Sequence, residues 1–269
     1  MMRKMLLYAM VISVLFFWPE SSGVNAAEKM EWLKTDRLSE GIIILNYEAK
    51  SGIKTKLLVA KGDSKYSYNL QAGVRNEVFP LQMGNGDYNV SLLEQVKGTT
   101  YRVVHKAEFS LNMTDPDKVY LNSVQNVKWS PSSLAVAQAK NLTKNATTDK
   151  EKVQAIYEYI IGHIQYDNGL AFSATSDYLP QIDRTLTTKK DICYGYSALF
   201  AAMLRSSDIP AKLVMGTTDY VETYHAWNEV LIDGEWVTID TTVDAGWKGT
   251  TTSFQMLKDT AKYKTDKYY

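Results

Sequence analysis

Between residues 41 and 111 the chain is built of short apolar runs separated by polar punctuation. Gly41-Ile42-Ile43-Ile44-Leu45-Asn46-Tyr47 is a β-branched run, and Lys54 to Ala60 is a second. Lys65 to Leu70 alternates polar with apolar residues, as does Tyr88 to Leu93 after the Gly84-Asn85-Gly86-Asp87 break. Lys97-Gly98 marks another turn, followed by Tyr101 to Val104 and Ala107 to Leu111. Period-two alternation with turn residues at this spacing predicts strands with one face buried, and several of them predict a small β-sandwich-like domain over residues 27–125.

Asp115-Pro116-Asp117 closes that region, and the pattern then becomes helical. Ser130-Pro131-Ser132-Ser133 can open a helix running to Leu142, with proline tolerated in the first turn. Thr148 and Glu151 have capping-box spacing, in which hydroxyl and carboxylate satisfy each other's backbone N–H groups. The helix they open aligns Val153, Ile156, Tyr157, Ile160 and Ile164 on one stripe. A polar loop containing Pro180 leads to Cys193, and Cys193 to Leu204 is strongly helix-forming. Beyond it, His225 to Leu231 and Trp236 to Asp240 read as two strands joined at Asp233-Gly234, a strong hairpin signal. A two-residue loop sets Leu231 opposite Trp236 and Trp227 opposite Asp240. His225 then lies diagonal to Asp240 on the same face, within reach of it. Residues 126–269 form the second expected domain.

Composition narrows the functional classes. Of 269 residues, 45% are hydrophobic and 22% charged, as in an ordinary folded protein, and 30 basic residues balance 30 acidic ones. No overall field would draw the chain to nucleic acid. Arg3 and Lys4, the apolar stretch Leu6–Trp18, the break at Pro19–Gly23 and the small residues of Val24-Asn25-Ala26 have the layout of a secretory signal peptide covering residues 1–26. The expected location is therefore extracellular or cell-envelope associated, with a membrane tie only through that segment if it stays uncleaved. The sequence holds one cysteine, so no internal disulfide can form, and a lone thiol outside the cytosol is a liability unless buried or used. No His, Cys or acidic cluster has metal-ligand spacing, and neither a metal nor a cofactor is expected.

Cys193 is thereby singled out. At a helix start, unsatisfied N–H groups and the helix dipole favour a thiolate and could stabilise an oxyanion. Asp191, two residues upstream, would oppose that charge if turned inward. An imidazole at 225 oriented by a carboxylate at 240 would supply the base. Cys193, His225 and Asp240 are the catalytic candidates, and Tyr194 and Trp227 are candidate pocket residues.

These segments resemble the core of the transglutaminase-like superfamily, which has a papain-like arrangement. The resemblance runs over roughly residues 130–245. It rests on Glu151–Ile160, Ile164-Gln165-Tyr166-Asp167, Cys193-Tyr194-Gly195-Tyr196-Ser197, Ile209-Pro210-Ala211 and the His225–Asp240 hairpin, and it is nearest to the bacterial exported branch. It implies an α+β fold with helices packed on an antiparallel sheet, Cys193 as nucleophile, His225 as general base and acid, Asp240 as orienter, and Tyr166 as an oxyanion donor. Two positions depart from the family pattern: Asp191 stands where Gly is common, and Thr241-Thr242-Val243 replaces the usual Pro-Thr-Trp. The implied activity is thiol-dependent acyl transfer on peptide or carboxamide bonds through a thioester, ending in hydrolysis (protease or deamidase) or amine capture (transglutaminase). The implied substrate is a protein, a peptide or a cell-wall peptide. The alternative is a catalytically silent binding or scaffold protein of the cell envelope.

Overall fold

The computed structural model describes residues 31–269; the expected signal segment 1–26 lies outside the described residues. Among the described residues no helix is long and apolar enough to cross a membrane.

Two compact units share the chain. One comprises residues 31–34, Leu45–Asn76 and Asn85–Asn112; the other comprises Thr35–Ile44, Glu77–Gly84 and Met113–Tyr269. The division therefore differs from a single cut after residue 125. The β-branched run marks Ile42–Leu45 as a strand but cannot say which unit it joins. Ile42, Ile43, Phe79 and Leu81 are all buried. Asn122 fixes the crossing segment by donating Nδ2 to the Glu40 carbonyl at 3.0 Å, and Leu81 N–H donates to the Gly41 carbonyl at 2.8 Å.

The first unit is built on a four-stranded antiparallel sheet with strand order Ser64–Leu70, Thr55–Lys61, Gly86–Lys97, Thr100–Leu111. Leu57 pairs with Tyr68 and Leu92, and Val59 with Tyr66 and Val90, so one apolar face is buried through all three strands. The runs at 101–104 and 107–111 are one twelve-residue strand, continuous through a register shift at Leu92/Leu93 of its partner. His105 stacks on Trp32 at 5.3 Å.

The second unit packs helices on an antiparallel sheet, the expected α+β architecture. Helix α1 spans Leu134–Thr143, α2 Asp149–His163, α3 Asn168–Ser173, α4 Ile182–Thr188, α5 Cys193–Arg205 and α6 Thr241–Trp247. The capping box of α2 is formed: Glu151 N–H donates to Thr148 Oγ1 at 3.2 Å, and Thr148 N–H donates to Glu151 Oε2 at 3.1 Å. Its stripe from Val153 to Ile164 is buried. The sheet order is Glu235–Ile239, Val221–Ile232, Ala211–Thr218, Tyr263–Tyr268. Helix α5 is buried on every side from Gly195 onward and packs against the two central strands, which makes it the axis of the unit. Arg205 at its end is buried and donates to three carbonyls, those of Ala211, Asn122 and Tyr269, at 2.7–2.9 Å. Burial lowers its pKa to about 9.

Candidate active site

The hairpin turns through two residues in the left-handed region, Asp233 at φ 53° and Gly234 at φ 85°. Two positive φ values in a two-residue loop match the right-handed twist of the flanking strands, and they fix the register at Leu231↔Trp236 and Asn228↔Ile239. His225 thereby reaches Asp240 across the diagonal: Nε2 lies 2.8 Å from Asp240 Oδ2, with the imidazole 4% exposed and the carboxylate fully buried.

Asp240 also caps α6. Its Oδ1 accepts from the Thr242 and Val243 N–H groups at 3.1 and 3.0 Å, and its Oδ2 accepts a second hydrogen bond from the Tyr263 hydroxyl at 3.0 Å. Four donors fix the carboxylate in place. The segment Thr241-Thr242-Val243 provides two of them as the first turn of α6. Tyr263 comes from the last strand of the sheet, and its hydroxyl stays protonated because burial, reinforced by the Asp240 charge, pushes its pKa well above the ordinary phenol value.

Cys193 is the first residue of α5, half-buried, and close enough to the His225 ring to favour its charged form. Since Nε2 is engaged by Asp240, Nδ1 is the nitrogen available to the sulfur. Burial opposes charge on His225, but the hydrogen bonds and charges of Asp240 and Cys193 outweigh it and raise its pKa to about 10. The surroundings of the ring thus favour its charged form. Tyr166 lies on a two-residue strand, Gln165–Tyr166, paired in parallel with Lys190–Asp191. It is 44% exposed, and burial together with the Cys193 charge raises its hydroxyl pKa, so that it remains a donor near the sulfur.

Asp191 points inward and is fully buried, yet its charge is taken up by others. Tyr178 donates to it at 2.7 Å, Arg184 at 2.8 Å and the Ile192 N–H at 2.8 Å, with Thr185 as a fourth donor. A Cβ at residue 195 would stand 2.0 Å from the Asp191 Cγ, so Gly195 makes room for this carboxylate under the helix start.

A cavity of about 710 Å³ opens beside the imidazole, with Tyr166, Tyr196, Tyr220, His225 and Trp247 among its walls. Neither Tyr194 nor Trp227 lines it. The Tyr194 hydroxyl accepts from Asn126 Nδ2 at 2.8 Å, and Trp227 is 1% exposed, packed on Tyr263 at 4.9 Å and parallel to His225 at 6.4 Å. Hairpin register gives the face of Trp227 but not what packs over that face, and neither residue is a pocket wall.

Sequence pattern pointed to Cys193, His225 and Asp240, the family resemblance added Tyr166, and the structure brings all four together. It did not point to Tyr263. The Tyr263–Tyr269 tail reads as packing, and no local signal ties its first hydroxyl to a carboxylate 23 positions earlier. Arg184 was missed for the same reason. His163 sits outside the site, stacked on Tyr159 at 4.4 Å.

Residues 136–241 match the family model described as the transglutaminase-like superfamily. The chain carries a transglutaminase-like domain. Human and mouse proteins named kyphoscoliosis peptidase are each 33% identical to it over 123 residues, which is 42% of this chain. The chain spans only 18% of the length of those relatives. Among solved structures, the periplasmic domain of TgpA from Pseudomonas aeruginosa is 17% identical with a TM-score of 0.39, covering 76% of this chain and 69% of that one. Red sea bream transglutaminase is 12% identical with a TM-score of 0.31, covering 74% and 47%. The transglutaminase-like domain contains Cys193, His225 and Asp240 within its matched span, whereas Tyr263 falls beyond it.

Proposed function

We propose that the protein is an exported thiol-dependent enzyme that transfers acyl groups from peptide or carboxamide bonds through a thioester on Cys193. One observation carries this reading: a buried imidazole faces the chain's single thiol on one side and, on the other, a carboxylate fixed by four donors. Export rests on the layout of residues 1–26.

The chemistry follows from the charges. An imidazolium beside the sulfur favours a thiolate nucleophile. Cys193 Sγ attacks the carbonyl carbon, and the C=O pair moves to oxygen. The Tyr166 hydroxyl and the first N–H groups of α5 are the donors near that oxyanion. His225 Nδ1–H then protonates the leaving nitrogen, the C–N bond breaks, and an amine or ammonia departs. The neutral ring takes a proton from an incoming water or amine as it attacks the thioester. Collapse of the second tetrahedral intermediate releases the acid or the new amide and restores the thiolate–imidazolium pair. Asp240 stays ionised throughout and orients the ring.

Hydrolysis of peptide or cell-envelope bonds is the outcome we favour, in keeping with the similarity to proteins named as peptidases. Incubation with an acyl-donor protein and a labelled primary amine, wild type against Cys193→Ala, tests the reading. Thiol-dependent cleavage or ammonia release without label is expected. Thiol-dependent incorporation of label would make it a transferase, and identical behaviour of the two proteins would overturn enzymatic function.

A further inference from the structure

The cavity beside His225 has an uneven charge. Its walls are aromatic and small, with Tyr166, Tyr196, Tyr220 and Trp247 prominent, and no Asp or Glu lines it. Its charged wall residues are the His225 imidazolium and Lys248. Lys248 follows α6 directly and is exposed. Its Nζ would lie 2.9 Å from a Cβ at residue 162, so the ammonium lies over the bare backbone of Gly162 in the last turn of α2, where a larger residue would displace it.

The natural helical partner of Lys248 is Asp244, one turn earlier, and that carboxylate is already occupied. Asp244 is fully buried, paired with Lys258, and accepts from the Tyr157 hydroxyl at 2.7 Å. Among the described residues no hydrogen bond or ion pair reaches the Lys248 ammonium. A cation without a partner, facing an aromatic cavity that contains a second positive charge, is a recognition element for an anion.

Taking the thioester reading as its basis, we propose that this cavity selects acyl donors that carry a carboxylate close to the scissile carbonyl, with Lys248 as the ion-pair partner of that carboxylate. The aromatic walls would cover the donor's backbone and stem, and the ammonium would hold its acidic end. An exposed ion pair of this kind is worth about threefold to fivefold in rate.

Matched chloroacetyl peptides alkylate the single thiol and differ only in charge, so they test the proposal. One pair is chloroacetyl-Gly-Glu-amide against chloroacetyl-Gly-Gln-amide, which places the acid on a side chain. The other is chloroacetyl-Gly-Gly with a terminal acid against its terminal amide. Iodoacetamide and glutathione serve as neutral probe and reference thiol. At least one acidic probe is expected to inactivate wild type about threefold to fivefold faster than its amide twin, and the pair that responds identifies the source of the carboxylate. That ratio is expected to fall to within about twofold in Lys248→Gln and to persist in Lys248→Arg. Equal rates within both pairs, beside fast iodoacetamide labelling, would overturn the anionic preference and leave the activated thiol standing. So would a preference that survives in Lys248→Gln. Labelling by every probe no faster than glutathione would overturn the thiol reading and the proposal together.

Discussion

The exchange Asp240→Asn isolates the electrostatic part of the site from its structural part. Asparagine caps helices as well as aspartate does, so its side-chain oxygen can keep the Thr242 and Val243 N–H groups that Oδ1 now accepts. The change falls on the other atom. Oδ2 accepts from both His225 and Tyr263, and an amide NH₂ in its place would confront two donors with a third. The imidazole can answer by turning Nε2 into an acceptor, which leaves its only proton on Nδ1, facing the sulfur, on a neutral ring. Such a ring can neither take the thiol proton nor carry the charge that steadies a thiolate.

The magnitude follows from the imidazolium. Its pKa of about 10, against an ordinary 6.5, represents on the order of 5 kcal/mol in favour of the charged ring, attained despite burial. The Asp240 hydrogen bond stands first among the contacts that sustain it, and removing one partner of a buried charge pair costs about 3 kcal/mol, roughly a hundredfold. The assay is the rate of iodoacetamide alkylation, followed by intact mass across pH 5–9 in a protein with one thiol. Wild type should react rapidly and almost independently of pH near neutrality. Asp240→Asn should be about a hundredfold slower at pH 7 and should climb steadily with pH. Superimposable profiles, with circular dichroism showing both proteins folded, would refute the argument that Asp240 sustains the ion pair.

Four further outcomes follow from the same geometry. Gly195→Ala forces a Cβ to within 2.0 Å of the Asp191 Cγ and should cost about 3 kcal/mol or more, read as a lower urea midpoint at unchanged slope. Arg184→Met leaves the Asp191 carboxylate with neutral donors alone and should cost about 2–3 kcal/mol, discounted because the guanidinium is 38% exposed. Tyr166→Phe should lower kcat by about tenfold to a hundredfold with little change in KM, as expected for a donor that acts on the developing oxyanion. Because folding raises the His225 pKa, its stabilising contribution is present below about pH 6.5 and lost as pH rises towards about 10. Urea midpoints of wild type should therefore fall over that window more steeply than those of His225→Gln.

The parts of this site that were legible in sequence share one property: their geometry is set within a few residues. Two left-handed residues at Asp233-Gly234 fix the parity of the hairpin, and parity alone places His225 on the face of Asp240. The apolar helix after a polar loop places Cys193 at a helix start. Illegible were the contacts that only packing creates. Tyr263 reaches Asp240 because its strand pairs with Ala211–Thr218 rather than with its neighbour in sequence. Trp227 has the parity of a pocket residue, but Tyr263 closes over it and the indole becomes core. The strand pattern at 42–45 likewise gave no sign that the compact units would exchange segments.

The same distinction explains how the chain tolerates aspartate where the pattern it resembles commonly has glycine. A buried carboxylate two residues before the nucleophile ought to repel a thiolate, and on local grounds Asp191 counts against activity. Its four donors come from Tyr178, Arg184, Thr185 and the backbone of residue 192, three of them on the loop and helix that precede Cys193 in the chain. The guanidinium returns the local charge to neutral, while Gly195 supplies the space that the larger side chain consumes. Asp191, Arg184 and Gly195 thus act as one packing unit beneath the helix start. Arg184→Met should therefore also slow iodoacetamide labelling of Cys193, whereas Asp191→Asn combined with Arg184→Met, which removes both charges, should restore much of the rate. A double variant as slow as the single one would show that Arg184 matters only for the shape of the helix start, not for its charge.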